Sequence, residues 1–493
     1  MIANVSRPAT ASRTRPARGR VASRLLALLC VASIAMAACS ASSTGTTANA
    51  TTPASSPAVA VSSSAPGGAA PGDPNASGAP GAPGNAPGGA STAQYTPTGV
   101  YTLSTGSESK AGVAYTAAEA DQSAVLVSGT GSVTLTDATI TTSGASQSSD
   151  ESSFYGLDAG VLAQSGGKVT LTGGTVTTKG NGANGVFAYG SGASVTVANA
   201  TIKATGQYAH GAMASGGGAV SVTDTVISTA GANSGAIATD RGGGTITVSG
   251  GSVTTSGQGS PAIYSTGAIT ATGGTYSATG SESAVIEGAN SITLTDATLT
   301  SSKADKWGVL IYQSMSGDAS GTKGTFTMTG GSLANTAATG PLFYVTNSTG
   351  VITLKDVDVT AAGGVLVKAA TGSWGNSGSN GGTVVLTADG ETLAGDLVSD
   401  SSSSISATLR NGTTMTGSIN SAALTLDATS VWNVTGDSQL TSLSDASGIS
   451  GTTIANINGN GHTVTYDASL SANSALGART YSLAGGGQLT PKS

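Results

Sequence analysis

Residue types that could support catalysis are sparse in this chain and widely spaced. Only 9% of its 493 residues are charged, and it contains two histidines, His210 and His462. A catalytic histidine needs a nucleophile or a carboxylate beside it, and neither histidine has such a partner near it in the sequence. We therefore expect both to be surface or capping residues.

Clusters of charged residues are equally few. The denser ones are Asp150-Glu151, Asp240-Arg241 and Asp305-Lys306. Glycan-cleaving enzymes group carboxylates on one face, with calcium or with Arg or Lys nearby, whereas these pairs fall in separate loops. We expect no catalysis, no cofactor and no metal. A polysaccharide-active enzyme of pectate-lyase-like fold is the alternative, and a groove where several acidic and basic side chains converge would favour it.

The element that must position every side chain is a phrase repeated nine times between Gly131 and Gly363. Two of its copies are GSVTLTDATITTSG, from Gly131, and GTITVSGGSVTTSG, from Gly244. The first apolar residues of successive copies lie 36, 26, 25, 26, 23, 23, 34 and 26 residues apart. Self-similarity with a period of about 20–50 residues indicates a solenoid.

Each phrase alternates apolar and polar residues, as a half-buried β-strand does. Its two inward positions, Val133 and Leu135 in the first copy, are apolar in every copy. The fourth position after Val133 and its equivalents is always Asp, Gly or Asn, which predicts a bend. A second short strand follows, with the inward residues Ile140, Val176, Ile202, Ile227, Val253, Tyr276, Leu299, Leu333 and Val359.

A third strand precedes each phrase and completes the coil. Its middle residue is always large, so we expect this column to point into the core: Leu126, Leu162, Phe187, Met213, Ile237, Ile263, Ile286, Leu310, Phe343 and Leu366. Parallel strands of successive coils can satisfy each other's backbone groups. The sequence therefore predicts an all-β fold, a single-stranded right-handed parallel β-helix with three short strands per coil.

Two columns of the repeat have residue types that could bind a ligand at regular intervals, a metal ion in one column and ice in the other. Asp137 and three equivalent aspartates occupy the bend column, but Gly and Asn replace Asp there freely, so turn geometry is the better interpretation than a metal ladder. Outward pairs such as Thr134-x-Thr136 stack in TxT rows like those of ice-binding solenoids. Interrupted rows and variable coil length argue against ice binding, which is a second alternative.

The chain begins with the features of a secretory signal peptide in residues 1–38, an arginine-rich start followed by an apolar run from Leu25 to Ala38. The run ends in Met36-Ala37-Ala38-Cys39, which resembles the lipobox of bacterial lipoproteins. That resemblance implies that Cys39 becomes the lipidated, palmitate-type first residue of the mature chain. We therefore expect export and a lipid anchor in the cell envelope, at the outer membrane or the cell surface.

Residues 39–98 consist mainly of Ala, Ser, Thr, Pro and Gly without apolar periodicity, which predicts a disordered tether. Six of the 19 basic residues lie in the leader, which leaves 13 against 25 acidic residues. Nucleic-acid binding needs clustered Lys and Arg, so we expect no nucleic-acid partner. The partner we expect is the membrane, through the lipid, and we expect the chain to be a monomer.

Beyond Gly382 the coils shorten. The segment SVWNVTGDSQLTSL, from Ser430, resembles the W-x-V-x-G-x-S-x-L-x-x-L coil of pertactin-like autotransporter passengers. The resemblance implies a β-helix and a role in adhesion. Autotransporters end in a membrane barrel, whereas this chain stops at Ser493, so we expect the lipid to replace the barrel as anchor. We divide the folded part into residues 99–382, with longer coils, and residues 383–493, with shorter coils and a cap.

Two insertions, Tyr312 to Lys323 and Ala370 to Gly382, fall at the same bend of coils two apart. Their bases should lie about 10 Å apart along one edge. They offer Tyr312, Met315, Asp318 and Trp374 as binding residues, because an aromatic ring with adaptable polar neighbours suits a glycan or a protein. The opposing interpretation has Trp374 folded back on the coils. The sequence favours a non-catalytic surface adhesin or envelope interaction module that binds a glycan or a surface protein.

Overall fold

The computed structural model describes residues 96–492, which form an all-β parallel solenoid of about 16 turns. The predicted leader, Cys39 and nearly all of the predicted tether lie outside the described residues. Each coil of the repeat contains three strands, and successive coils pair strand by strand in parallel. We call the phrase strands sheet 1, the short strands after them sheet 2, and the strands before them sheet 3.

The strand bounds follow the repeat. Sheet 1 comprises Ser107–Ala111, Ser132–Thr136, Lys168–Thr172, Ser194–Ala198, Gly218–Thr223, Gly244–Ser249, Ala268–Thr272, Ser291–Thr295, Lys323–Thr329, Thr349–Lys355, Thr383–Asp389 and Ser404–Arg410. Sheet 2 comprises Ala114–Ala117, Thr139–Thr142, Thr175–Thr178, Thr201–Ala204, Val226–Thr229, Ser252–Thr255, Thr275–Ala278, Thr298–Ser301, Ser332–Asn335 and Asp358–Ala361. Sheet 3 comprises Thr98–Leu103, Gln122–Ser128, Val161–Gln164, Val186–Tyr189, Ala212–Ser215, Ile237–Thr239, Ile263–Ser265, Ala284–Glu287, Val309–Tyr312, Phe343–Thr346, Val365–Ala369 and Asp396–Ser399.

The predicted inward files of sheets 1 and 2 are confirmed. Leu135, Leu171, Val197 and Val222 pair in consecutive coils, and each is at most 2% exposed. Sheet 2 stacks in the same way from Ile140 onward. Each coil therefore contributes to one continuous apolar core and depends mainly on its neighbours. The outward Thr rows of sheet 1 also pair as predicted, coil on coil, while ice binding stays an untested prediction.

The bend column adopts the conformation that its residue types predict. All nine residues have positive φ, from 43° at Asp224 to 68° at Gly173. Where an Asp occupies the column, Gly occupies it in the next coil, because the carboxylate leans into the space that a side chain would fill. A Cβ at Gly173 would lie 2.2 Å from Asp137 Oδ1, and one at Gly250 would lie 2.2 Å from Asp224 Oδ1.

The prediction that one residue column of sheet 3 points into the core is correct for five of its ten residues and wrong for the other five. Ile237, Ile263, Ile286, Phe343 and Leu366 belong to the central core, as expected. The other five point to the outer face and form a second buried apolar layer: Leu126, Leu162, Phe187, Met213 and Leu310. Both faces of these strands are apolar, so large size alone did not identify the inward one.

A short helix, α1, covers part of this second layer. It spans Ser149–Tyr155, with the Ser148 side chain as its N-cap and Gly156 as its C-cap. Gly156 packs so closely on the layer that a Cβ there would come within 2.7 Å of Phe187 Cγ and 2.8 Å of Leu162 Cδ1. The helix and the two insertions thus turn the outer face of sheet 3 into an interior.

The carboxyl-terminal coils continue the core with shorter repeats. Their remaining elements are Thr392–Ala394, Thr414–Gly417, Ile419–Leu426, Val431–Val434, Ser438–Ser444, Ile449–Ser450, Thr453–Asn458, Thr463–Tyr466, the 3-10 helix Ser471–Leu476, Tyr481–Ala484 and Gln488–Pro491. Trp432 is fully buried, and its Nε1 donates to the Gly417 carbonyl at 2.9 Å. The last two strands pair antiparallel as a hairpin on the preceding coil.

Candidate functional site

Four aromatic side chains meet on the outer face of sheet 3, and we call them the aromatic face: Trp307, Tyr312, Tyr344 and Trp374. Trp307 precedes the strand Val309–Tyr312, whose last residue is Tyr312. Tyr344 lies in the strand of the next coil, Phe343–Thr346. Trp374 comes from the insertion one coil further on. Three successive coils thus contribute to one surface: Trp307 lies before its sheet 3 strand, Tyr344 lies within the next one, and Trp374 follows the third, Val365–Ala369.

The rings are in direct contact. Trp307 stacks on Tyr344 with centroids 4.5 Å apart and planes 26° apart. Trp374 lies 6.4 Å from Trp307, edge to face, and 4.6 Å from Tyr312. The two tyrosines are buried, at 1% and 6% exposed, whereas both tryptophans are partly exposed. The tyrosines therefore form a floor and the indoles form the accessible surface.

Side-chain amides hold the two insertions in place. Asn380 Nδ2 donates to the carbonyls of Gly372 and Trp374, at 2.6 and 2.7 Å. Asn347, from the coil between the insertions, donates its Nδ2 to the Gln313 carbonyl at 2.7 Å. These bonds fix loop backbone that would otherwise be free to move.

Two lysines flank the aromatic face. Lys306 is buried, with Nζ 3.6 Å from Glu282 Oε1 and 5.1 Å from the centroid of Trp307. Lys368 is exposed, with Nζ 6.0 Å from the centroid of Tyr344. Both ammonium groups lie within cation–π range of a ring.

A second group of side chains lies beside the first on the same face. It surrounds an enclosed cavity of about 20 Å³, lined by Asp150, Ser153, Phe154, Tyr208, His210, Asp240, Tyr264 and Asp318. We call it the acidic cavity. A space of this size holds about one water molecule, so it is too small for a sugar ring.

Arg241 joins α1 to the first insertion beside the acidic cavity. Its Nη2 lies 2.9 Å from Asp318 Oδ1. Its guanidinium carbon lies 3.8 Å from the ring centroid of Phe154, a residue of α1. The Asp240 carboxylate accepts from the Arg241 backbone N–H at 2.7 Å. A guanidinium group therefore contacts two of the residues that line the cavity, Phe154 and Asp318.

Burial shifts the titration of the groups around the cavity. It raises the pKa of Asp240 well above its usual range, and the nearby Asp318 carboxylate adds to the effect. It also raises the pKa of Asp150, again with Asp318 contributing. Burial lowers the pKa of His210 to about 4, so the imidazole is neutral at physiological pH. His210 Nδ1 lies 3.2 Å from the Gly235 carbonyl.

Two sequence-based expectations about charged residues are corrected here. His210 is not on the surface, since it is 3% exposed. The pairs Asp150-Glu151 and Asp240-Arg241 are not isolated in separate loops, since Asp150 and Asp240 line one cavity together with Asp318. The insertion in which α1 lies brings the first pair back over later coils. His462 is at the surface as predicted, near Asp437.

Three of the four predicted binding residues lie in these two places. Tyr312 and Trp374 contact each other in the aromatic face. Asp318 lies at the acidic cavity, paired with Arg241. Met315 is 68% exposed and is not part of the buried outer layer on which the rings pack. The indole of Trp374 packs on the outer layer of the coils and still presents a partly exposed face, and its role in binding stays a prediction.

Sequence reasoning missed Trp307 and Tyr344. Tyr344 pairs with Leu310 of one neighbouring coil and Lys368 of the other, and the same outer layer contains Phe187 and Tyr264, so the repeat gave no signal that singled Tyr344 out. Comparison with known proteins adds no further residue: no family model, no curated protein and no solved structure matches this chain.

Among residues 96–492, no three His, Cys, Asp or Glu side chains are grouped so that they could hold a metal ion. Within the same range, no helix has the length and apolar character to cross a membrane.

Proposed function

We propose that this chain is a non-catalytic β-helical lipoprotein of the cell surface that binds glycans through its aromatic face. The proposal rests on one observation: Trp307 and Trp374, two of the three tryptophans in a chain with 4% aromatic residues, meet on one outer face and stay partly exposed. The third, Trp432, is buried in the core.

The chemistry of the face suits a sugar. An indole presents a large, rigid apolar surface on which the C–H groups of a sugar ring pack. The insertion that carries Trp374 consists mainly of Gly, Ser and Asn, which supply adaptable hydrogen bonds for hydroxyl groups. The solenoid supports this role because it holds both insertions on a rigid scaffold.

A lipid anchor at Cys39 completes the proposal. It is supported by the lipobox-like sequence Met36-Ala37-Ala38-Cys39 and by the Ala/Ser/Thr/Pro/Gly-rich stretch after it. The parallel solenoid is also the fold of pertactin-like passengers, in which such a scaffold presents adhesive surfaces. Metabolic labelling with an alkyne fatty acid should label the wild type and not a Cys39→Ala variant.

Glycan-array binding of the full chain tests the aromatic face. Trp374→Ala should weaken binding to the best glycan at least about tenfold, which corresponds to about 1.4 kcal/mol. Met315→Ala removes an exposed apolar side chain from the other insertion and is the matched control, so its affinity should stay within about twofold of the wild type. Undiminished glycan binding by Trp374→Ala would refute the proposal. A chain that binds protein ligands but no glycan would show that the ligand of the aromatic face is a protein.

A second candidate function is polysaccharide cleavage. Asp150, Asp240 and Asp318 converge with Arg241. The raised pKa values of Asp150 and Asp240 favour this function, because such enzymes use carboxyl groups with shifted pKa values as acids and bases. The size of the cavity opposes it, since a substrate can enter only if α1 or the first insertion moves. Release of reducing ends from a polysaccharide panel, abolished in Asp240→Asn, would establish this activity.

A further inference from the structure

The buried carboxylate of Glu287 lies between the acidic cavity and the aromatic face. Glu287 is 1% exposed, and no Lys or Arg among the described residues forms an ion pair with it. Hydroxyl groups donate hydrogen bonds to this carboxylate instead. Tyr264 and Tyr312 donate to Oε2 at 2.6 and 2.8 Å, and Ser314 donates to Oε1.

This arrangement links elements that are distant in sequence. A buried carboxylate is costly unless hydrogen bonds compensate for its lost hydration. Its donors come from the coil before it, from the coil after it and from the first insertion. Each bond holds one of these elements to the carboxylate, so Glu287 restricts the conformation of the insertion and of both tyrosines.

Tyr312 connects this carboxylate to the tryptophans. Its hydroxyl is held by Glu287, and its ring lies 4.6 Å from Trp374 at an angle of 53°. Tyr264 donates to the same oxygen, but its ring is not in contact with Trp374 and lines the acidic cavity instead. The two tyrosines thus share an acceptor and differ in what their rings touch.

We propose that Glu287 is a positioning residue of the aromatic face, which orients Trp374 for ligand binding by fixing the hydroxyl of Tyr312. This inference rests on the proposed function for its effect on ligand affinity. The orientation of Trp374 itself can be measured without any ligand.

The difference between the two tyrosines provides the experiment. Tyr312→Phe and Tyr264→Phe each remove one hydroxyl bond to Glu287 Oε2 and keep the ring. Acrylamide quenching of tryptophan emission in the full chain reports on the partly exposed indoles, since Trp432 is buried. We expect Tyr312→Phe and Glu287→Gln to shift the emission and raise the quenching constant at least about 1.5-fold, while Tyr264→Phe leaves both unchanged.

Ligand binding supplies the second readout. On the array glycan that binds the wild type best, Tyr312→Phe and Glu287→Gln should lose affinity about tenfold, and Tyr264→Phe about twofold or less. Equal effects of the two tyrosine variants, or unchanged quenching in Tyr312→Phe and Glu287→Gln, would overturn the positioning role. A wild type that binds no glycan but shows the predicted quenching differences would overturn the proposed function and leave the positioning role standing.

Discussion

At the scale of single residues, the bend column shows how one side chain determines the residue type in the next coil. The carboxylate of Asp224 lies where a side chain at Gly250 would have to be. The same relation holds between Asp296 and Gly330, where a Cβ would lie 2.2 Å from Oδ1. These aspartates occupy the positive-φ turn positions that the sequence predicts.

The steric part of this relation can be measured separately from backbone strain. Gly250 and Gly412 both have positive φ, 67° and 81°, but only Gly250 has an obstructing neighbour, since nothing lies within 4 Å of a Cβ at Gly412. Gly412→Ala should lower the free energy of unfolding by about 1–2 kcal/mol, the cost of a left-handed non-glycine residue. Gly250→Ala should cost at least about 1 kcal/mol more in urea denaturation. Equal losses would contradict the account.

Two buried groups give stability opposite dependences on pH. Burial raises the pKa of Asp158 to about 6 and lowers that of His210 to about 4. Because the folded-state pKa of Asp158 is above the unfolded one, its contribution is complete at low pH and is lost as pH rises through 6. The contribution of His210 is present above its unfolded pKa and is lost as pH falls through 4.

Urea denaturation of two variants from pH 6 to pH 4 tests these signs. The stability advantage of the wild type over Asp158→Asn should grow as pH falls across this range, and its advantage over His210→Gln should shrink. Parallel curves for wild type and variants would show that neither group titrates as described.

The short helix α1 has a capping pattern that is visible in the sequence. Ser148 and Glu151 stand three apart before an aromatic pair, and Gly156 follows, which is the pattern of a capped helix. The structure has that helix, with the Glu151 N–H donating to Ser148 Oγ at 3.2 Å. The repeat predicts a loop for this segment, because it lies between the sheet 2 strand of one coil and the sheet 3 strand of the next and has no counterpart in the other coils.

At the scale of elements, sheet 3 differs from the other two sheets because both of its faces are buried. Leu162 faces outward under α1, while Leu171 of sheet 1 faces the central core. Periodicity predicts sheets 1 and 2 well because only one of their faces is apolar. It fails for sheet 3, where the inward and outward columns have the same chemistry.

A pair of leucine variants tests the outer layer. Leu162→Ala and Leu171→Ala should each lower the free energy of unfolding by about 2–5 kcal/mol, because each leaves a cavity in a packed interior. Only Leu162→Ala should speed amide hydrogen exchange in α1, since that helix packs on the outer layer. Exchange in α1 that is equally fast in both variants would show that the helix is not anchored there.

At the scale of the whole molecule, the repeat period was sufficient to predict a parallel solenoid, because each coil can bury its apolar residues only against the next. The site was not predictable to the same degree. Tyr312 and Trp374 were expected to be neighbours, since their insertions share a bend. The contact between Arg241 and Asp318 spans 77 residues and depends on where each loop folds, which spacing along the sequence does not determine.

The most direct test of the central claim is where a ligand binds. Oxidative footprinting of the full chain, with and without the glycan that binds best on an array, reports the protection of each exposed side chain. The account predicts that Trp307 and Trp374 become protected while Met315, 68% exposed on the neighbouring insertion, stays reactive. Protection confined to the acidic cavity or to the threonine rows of sheet 1, with both tryptophans unchanged, would contradict it.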